Sequence, residues 1–338
     1  MDTLSTILNA VWVEGMNLSH KKCVRALVRA LLLTLSVNLL KLARAAFSDV
    51  RPLSTVRRIE RLLAMGIFNV TLLGRAIVNA LPPQKRYILT MDRTTWELGC
   101  HVYNILALGI CYDGISIPVY FTSIPKRGST NFAEQMSFME RVLEIIPQCR
   151  IECLVADREF GYPNFIRWLG FRQIPYCLRL RESTYISDTA GKKGCQARNV
   201  LSSLAAGEAT VLAHPYIVNG VKVRIYAVRR QTHDSEESLL ILATPAESGF
   251  TDKIYRLRWQ IETSFRAMKT AGFNMEQTHL PLDGRFQSML AIILIAYACA
   301  FIDGLVRIRQ RPIPIMKANG RKRFSIFTWG LNMIAADI

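Results

Sequence analysis

The chain has 338 residues, enough to bury a large core in two or three structural units. Lys plus Arg number 43 against 26 acidic residues, a formal charge of +17; this predicts a polyanionic partner, although an anionic membrane surface would attract the same charge. Cysteines at 23, 100, 111, 149, 153, 177, 195 and 299 are scattered through mostly apolar runs, and only Cys149 and Cys153 lie close, so neither a zinc site nor a disulfide framework is indicated.

Reduced core thiols in a cytoplasmic protein are the better reading. The opening Met1-Asp2 lacks the basic and apolar regions of a secretion signal.

Residues 1–84 read as helical. Residues 18–46 carry Val24, Leu27, Val28, Leu31, Leu32, Leu35, Leu39 and Leu42 at helical spacing. A second pattern covers about 53–64, with Ser54 at its N-cap and Arg57, Arg58 and Arg61 exposed. Those arginines read either as the face of a DNA-recognition helix or as ordinary solvated side chains. Pro82-Pro83 closes the segment.

Residues 85–182 alternate between strand and helix. Strands are expected at 87–92, 101–110 and 117–123, the last two joined at Asp113-Gly114. Asn131 and Glu134 make a capping box opening a helix to about 146. A strand at 151–157, a short helix at 163–169 and a strand at 175–180 follow. Residues 183–250 have a different texture: strands at 184–188, 208–213, 216–218, 221–229 and 236–243, with Asn219-Gly220 as the strongest hairpin signal. They read as a β-rich insertion. Tyr185, Tyr216 and Tyr226 are either stacking surfaces for bases or packed strand residues.

Residues 251–303 contain the most informative stretch. Read as a helix over 254–269, it places Leu257, Ile261, Phe265 and Met268 on an apolar stripe and Tyr255, Arg258, Glu262, Arg266 and Lys269 on a second one. The uncharged run 286–302 is short for a membrane span, and Gln287, Ser288 and Tyr297 interrupt it, so it reads as a buried helix. Residues 304–338 hold Arg307, Arg309, Arg311, Lys317, Arg321, Lys322 and Arg323 with no acid up to Gly330, which fits a DNA-backbone tract and a solvated loop equally well.

Asp92 and Asp157 each end a short apolar strand. Asp is depleted in strands, and a buried carboxylate needs a cationic or metal partner. Two strand-borne Asp and a helical Glu262 supply the oxygen ligands of a two-metal phosphodiester site. Tyr255-x2-Arg258-x3-Glu262-x6-Lys269 resembles the signature of bacterial DDE transposases of the insertion-sequence-four family. Asp92-Arg93-Thr94-Thr95-Trp96 and Asp157-Arg158-Glu159-Phe160-Gly161 look like its first and second acidic motifs.

The resemblance implies an α/β fold: an RNase H-like core interrupted by a β-rich insertion and flanked by N- and C-terminal helical regions. It implies cut-and-paste DNA transposition, in which Asp92, Asp157 and Glu262 hold two magnesium or manganese ions for end cleavage and strand transfer. Arg258 and Lys269 would hold phosphates, Tyr255 would bond a phosphate or pack under the site, and Arg266 would contact DNA. The partner is double-stranded DNA, as terminal inverted repeats and as target, with a homodimer in the paired-end complex, no membrane, and work at the bacterial nucleoid. Family members use the N-terminal helices for end recognition; in some a tryptophan of the insertion stacks on a flipped base, whereas residues 183–250 here contain none. The apolar ending reads as shortened relative to the family. Two other readings stand beside this one: a different RNase H-like metal nuclease, and a catalytically incompetent DNA-binding inhibitor of transposition.

Overall fold

A computed structural model describes residues 3–11, 16–98, 101–189, 194–231, 239–275, 283–316, 320 and 322–337. Five helices come first: α1 (Thr3–Val11), α2 (Leu18–Thr34), α3 (Leu39–Ala46), α4 (Pro52–Ala64) and α5 (Val70–Ala80). Then come β1 (Tyr87–Leu98), β2 (His101–Tyr112), β3 (Ile115–Ile124), α6 (Phe132–Ile145), β4 (Ile151–Ala156), α7 (Pro163–Phe171) and β5 (Tyr176–Arg179). The β-rich stretch supplies β6 (Tyr185–Asp188), β7 (Cys195–Gln196), α8 (Ala197–Val200), β8 (Ala209–Val211), β9 (Tyr216–Val218), β10 (Val221–Arg229) and β11 (Leu239–Pro245). The chain ends with α9 (Asp252–Tyr255), α10 (Trp259–Arg266), α11 (Asp283–Ile308) and α12 (Ile326–Ala336).

Two compact units form. The first comprises Met1–Gln84, Arg93–Arg127 and Gln260–Ile338; the second comprises Lys85–Asp92 and Gly128–Trp259. β1 divides between the units after Asp92, and the 254–269 stretch divides after Trp259.

In the first unit, α11 is the element on which α1, α2, α4, α5, α12 and β3 pack. It is long and apolar enough to cross a membrane, yet 83% of its most apolar window is buried. Its polar interruptions are satisfied within the fold. Ser288 donates to the Gly284 carbonyl at 3.0 Å, and the fully buried Tyr297 donates to the Ser116 carbonyl at 3.2 Å while stacking on Phe327. A buried phenol with a partner costs far less than an orphaned one. The β2–β3 hairpin turns at Asp113 (φ +43°) and Gly114 (φ +87°), the paired left-handed residues that such a tight turn requires.

The N-terminal helices depart from the expected pattern in three ways. The 18–46 run is broken: Leu35 takes φ +49°, its N–H capping the Leu31 carbonyl, and α2 and α3 meet at 111°. Asn38 then restarts the helix by accepting the Leu40 and Lys41 amides. Ser54 is not the N-cap of α4; Arg51 is, with Pro52 in the first turn, where a missing N–H costs nothing. Arg58 is half-buried rather than exposed: it donates to the Ser19 carbonyl and hydroxyl and lies 4.8 Å over the Phe47 ring, while Arg57 and Arg61 are exposed.

The C-terminal basic tract is also partly committed. Arg307 pairs with Asp303 at 2.7 Å and with Asp337, and Lys322 pairs with Asp113 at 2.6 Å. Lys317 and Arg321 lie outside the described residues.

In the second unit, β1, β4 and β5 run parallel, and β11 pairs antiparallel with β5. The order continues through β10, β9, β6 and β7, with β8 on β10. The strands read as an insertion thus extend the sheet that carries β4 and β5. β11 is described from Leu239, and residues 236–238 of the expected strand lie outside the described residues. Asn219 and Gly220, at φ +49° and +82°, turn the β9–β10 hairpin as the sequence indicates. The Asn131–Glu134 capping box opens α6.

The 254–269 stretch is not one regular helix. α9 leads into a 3-10 turn at Arg256–Arg258, then α10, then a π-turn at Ala267–Ala271. Ile261, Phe265 and Met268 of the expected apolar stripe are buried and Leu257 is half-buried, whereas the second stripe breaks up: Tyr255 and Arg258 turn inward, Arg266 is exposed, and Trp259 is 54% exposed.

The crossing of α11 and α12 depends on glycine. A Cβ on Gly330 would lie 1.7 Å from the Ala300 carbonyl oxygen, and one on Gly304 would lie 2.3 Å from the Ile326 oxygen. Backbone cannot yield as a side chain can, so Gly330→Ala should cost at least the roughly 1–3 kcal/mol typical of overpacking. Urea unfolding of the two proteins measures that difference.

Candidate active site

β1 and β4 pair in parallel register, ending with Met91 opposite Ala156. One residue further stand Asp92 and Asp157. Asp92 continues β1 while Asp157 lies just past the end of β4, so both carboxylates stand at the same end of this strand pair. The stretches of β1 and β4 that lead to these residues are mostly buried, as central parallel strands are, and both Asp side chains reach partial exposure, 18% and 31%.

Each carboxylate faces a buried arginine. Arg258, from the 3-10 turn, lies 3.5 Å from Asp92 Oδ2; its guanidinium sits 4.6 Å over the Trp259 ring. Arg179, at the end of β5, lies 3.9 Å from Asp157 Oδ1. Tyr255 donates its phenol proton to Asp157 Oδ1 at 3.3 Å, and the Arg158 amide donates to the same oxygen at 2.7 Å. The Tyr255 ring packs among Cys153, Val155, Cys177, Leu240 and Leu242. Burial, and then the Asp157 charge, push its phenol well above the ordinary range, so it remains a donor throughout the physiological pH range. Burial, with the Asp252 charge adding to it, likewise raises the Cys177 thiol to about 12, leaving it protonated and inert.

The loop after Asp157 is fixed from two sides. Glu159 accepts from the Thr130 amide and hydroxyl at 2.8 and 2.9 Å, so this second acid of the motif has a structural task. Gly161 lies against β5: a Cβ there would sit 2.1 Å from the Arg179 carbonyl oxygen. A cleft of about 780 Å³ opens beside this loop, lined by Asp157, Arg158, Arg179, Arg181 and Arg198 among others. Sequence reading missed Arg179, Arg181 and Arg198. The signal for Arg179 was present: a charged residue ending a four-residue buried strand raises the question that singled out the aspartates.

The other candidates fall in the first unit. Glu262 is half-buried in α10, and Arg266 is exposed in its last turn. Lys269 donates to the Thr95 carbonyl at 3.1 Å and lies 5.7 Å over the Trp96 ring. Trp96 in turn meets Phe286 edge-on. Arg93, next to Asp92 in sequence, donates to Asn104 Oδ1 at 3.0 Å. Glu262 is tied to the aspartates by motif spacing. Among the stacking candidates, Tyr185 is 65% exposed, whereas Tyr226 is packed and donates to Asp252 at 3.1 Å.

Among the described residues no cluster of three or more His, Cys, Asp or Glu forms that would hold a metal. Magnesium takes one or two protein carboxylates and completes its shell with water and phosphate, so the pair Asp92 and Asp157 fits it. Seven cysteines are described and all are free thiols; four are buried, and Cys149 is exposed.

Gly161→Ala should separate the motif loop from β5 and destabilise the second unit by about 1–3 kcal/mol, the usual cost of overpacking. A lowered urea midpoint at unchanged slope is the expected result.

A search of curated proteins finds no match for this chain. The sequence model described as "Transposase DDE domain" matches residues 83–299, which include Asp92, Asp157, the extended sheet and Glu262. With a mixed α/β architecture of eleven strands and flanking helices, the chain belongs to the DDE transposase family, with its RNase H-like fold.

Proposed function

We propose that this transposase belongs to the insertion-sequence-four group and cuts and rejoins DNA at the terminal repeats of its own element. Asp92, Asp157 and Glu262 are the proposed acidic triad. The observation that carries the reading is the pair of partly exposed carboxylates, Asp92 on β1 and Asp157 just past the end of neighbouring β4, each beside a buried arginine. The Tyr255, Arg258, Glu262 and Lys269 spacing supports it from the sequence.

Two bound magnesium or manganese ions would supply the activation of water and the stabilisation of the leaving 3′ oxygen. The chain's own residues do the remaining work. Tyr255 holds the Asp157 carboxylate by a proton that it does not lose, fixing which oxygen faces outward. Arg179 and Arg258 balance the negative charge of the two aspartates when no substrate is bound, and offer planar forks to a phosphate when it arrives. Arg158, Arg181 and Arg198 continue the positive lining away from Asp157, a path for the DNA backbone. Lys269, Arg266, Arg57 and Arg61 add positive charge elsewhere on the chain.

Pairing two ends calls for a homodimer in the DNA complex, and the setting proposed is the bacterial nucleoid, without membrane attachment. The apolar α11 agrees with this, since its side chains are spent inside the fold.

The test is cleavage of a labelled duplex bearing the repeats that flank the gene, with magnesium or chelator. Asp92→Asn, Asp157→Asn and Glu262→Gln should each lower cleavage by more than the roughly 10–100-fold typical of outer-shell metal partners, while duplex binding persists. Cleavage at the wild-type rate by any of the three removes that residue from the triad. Binding without cutting by the wild type favours the inhibitor reading, and cutting without joining favours a nuclease.

A further inference from the structure

Tyr226, in the middle of β10, donates its phenol proton to Asp252 Oδ1 at 3.1 Å, across 26 residues of chain. Asp252 opens α9 behind the N-cap Thr251, and its other oxygen accepts from Arg256 at 2.7 Å. The two bonds differ in what they hold. The Arg256 side chain is 77% exposed, and such an i,i+4 pair contributes little and ties α9 only to its own next turn. The bond from Tyr226 ties α9 to a strand of the β-rich stretch. Burial, then the hydrogen bond and charge of Asp252, raise the Tyr226 phenol, so it stays a donor at physiological pH.

Asp252 and Tyr255 lie three residues apart in a helix of four, so they share one face. A single helical turn is not stable by itself and takes its setting from what it packs on. Anchoring Asp252 fixes the rotation of α9 about its axis, and with it the direction of the Tyr255 phenol toward Asp157. The 3-10 turn that follows directly carries Arg258 to Asp92. Sheet register converges on the same place. Tyr226 is paired with Leu242 of β11, and Leu242 with Arg179 of β5, the arginine beside Asp157. Residues directly opposite on antiparallel strands are neighbours on one face, and this row is the surface on which Tyr255 packs, with Leu242 in its cluster and Tyr226 against it. We infer that Tyr226 and Asp252 are positioning residues: their hydrogen bond aims Tyr255 at Asp157, so that metal affinity at the aspartates depends on β10. The inference rests on the proposed metal role of Asp92 and Asp157.

The experiment titrates the full-length protein with manganese(II) alone, following the free ion by electron paramagnetic resonance, and then finds the manganese concentration giving half-maximal cleavage of the repeat duplex. Tyr226→Phe and Asp252→Ala should each weaken manganese binding and raise that concentration by roughly tenfold, the lower end of the effect of outer-shell metal partners. Asp252→Asn keeps an acceptor oxygen and should retain wild-type binding, and Arg256→Ala should leave both readouts unchanged. Saturating manganese should restore the cleavage rate of Tyr226→Phe, a rescue that damage to the fold would not allow. Combining Tyr226→Phe with Asp252→Ala should be no worse than either alone, since both remove one bond. Wild-type manganese affinity in Tyr226→Phe, slow cleavage by it at saturating metal, or a double variant as weak as the product of the single effects overturns the inference. Asp92→Asn and Asp157→Asn test the reading beneath it. If neither moves manganese binding, the metal role and this inference fall together; if both do and Tyr226→Phe does not, this inference falls alone.

Discussion

Two like charges on neighbouring strands impose the constraint that shapes the second unit. Asp92 follows Met91 in β1 and Asp157 follows the end of β4, and gathering two carboxylates there carries a repulsive penalty. Arg258 and Arg179 remove that penalty, and each needs its aspartate in turn, because a buried guanidinium without an anion costs several kcal/mol. The surrounding architecture serves this exchange. β5 must end beside β4 so that Arg179 reaches Asp157, which requires a glycine where the 157–161 loop meets the strand. The 3-10 turn after α9 brings Arg258 inward where a regular helix would have kept it on the outer stripe. The apolar cluster around Tyr255 fixes the phenol at the Asp157 carboxylate.

The first unit solves a different problem, that of surrounding an apolar helix on every side. Six elements share α11, and its Ser288 and Tyr297 hydroxyls find acceptors in its own backbone and at the Ser116 carbonyl. The glycines at the α11–α12 crossing let backbone meet backbone, so contact there is made by main chain where side chains would otherwise intervene. Charge is confined to the periphery: Arg307 joins Asp303 and Asp337 at the edge of the helix pair.

Much of this was legible because turns and caps are local. Asp113-Gly114 and Asn219-Gly220 declare hairpins through the backbone angles that only such residues adopt readily, and Asn131 with Glu134 declares the start of α6. The aspartates stood out because a carboxylate at the end of an apolar strand needs an explanation. What escaped depends on partners distant in sequence. Nothing near Arg58 signals that Ser19 and Phe47 will take it, and nothing near residue 239 signals that β11 will pair with β5. Periodicity also failed where the helical period itself changes: the 3-10 turn before α10 takes Arg258 off the face that an unbroken count assigns to it. The break at Leu35 was hidden for a related reason, since leucine is a poor signal for a left-handed turn.

The burial of α11 has a consequence for how the protein is made. Most of the surfaces that cover it precede it along the chain, whereas α12 follows it. At about 5–20 residues per second there is an interval of seconds in which a long apolar helix lacks its closing partner. During that interval the nascent chain presents what the targeting machinery is built to seize, so the fate of each copy depends on whether the earlier helices, or a chaperone, reach α11 first.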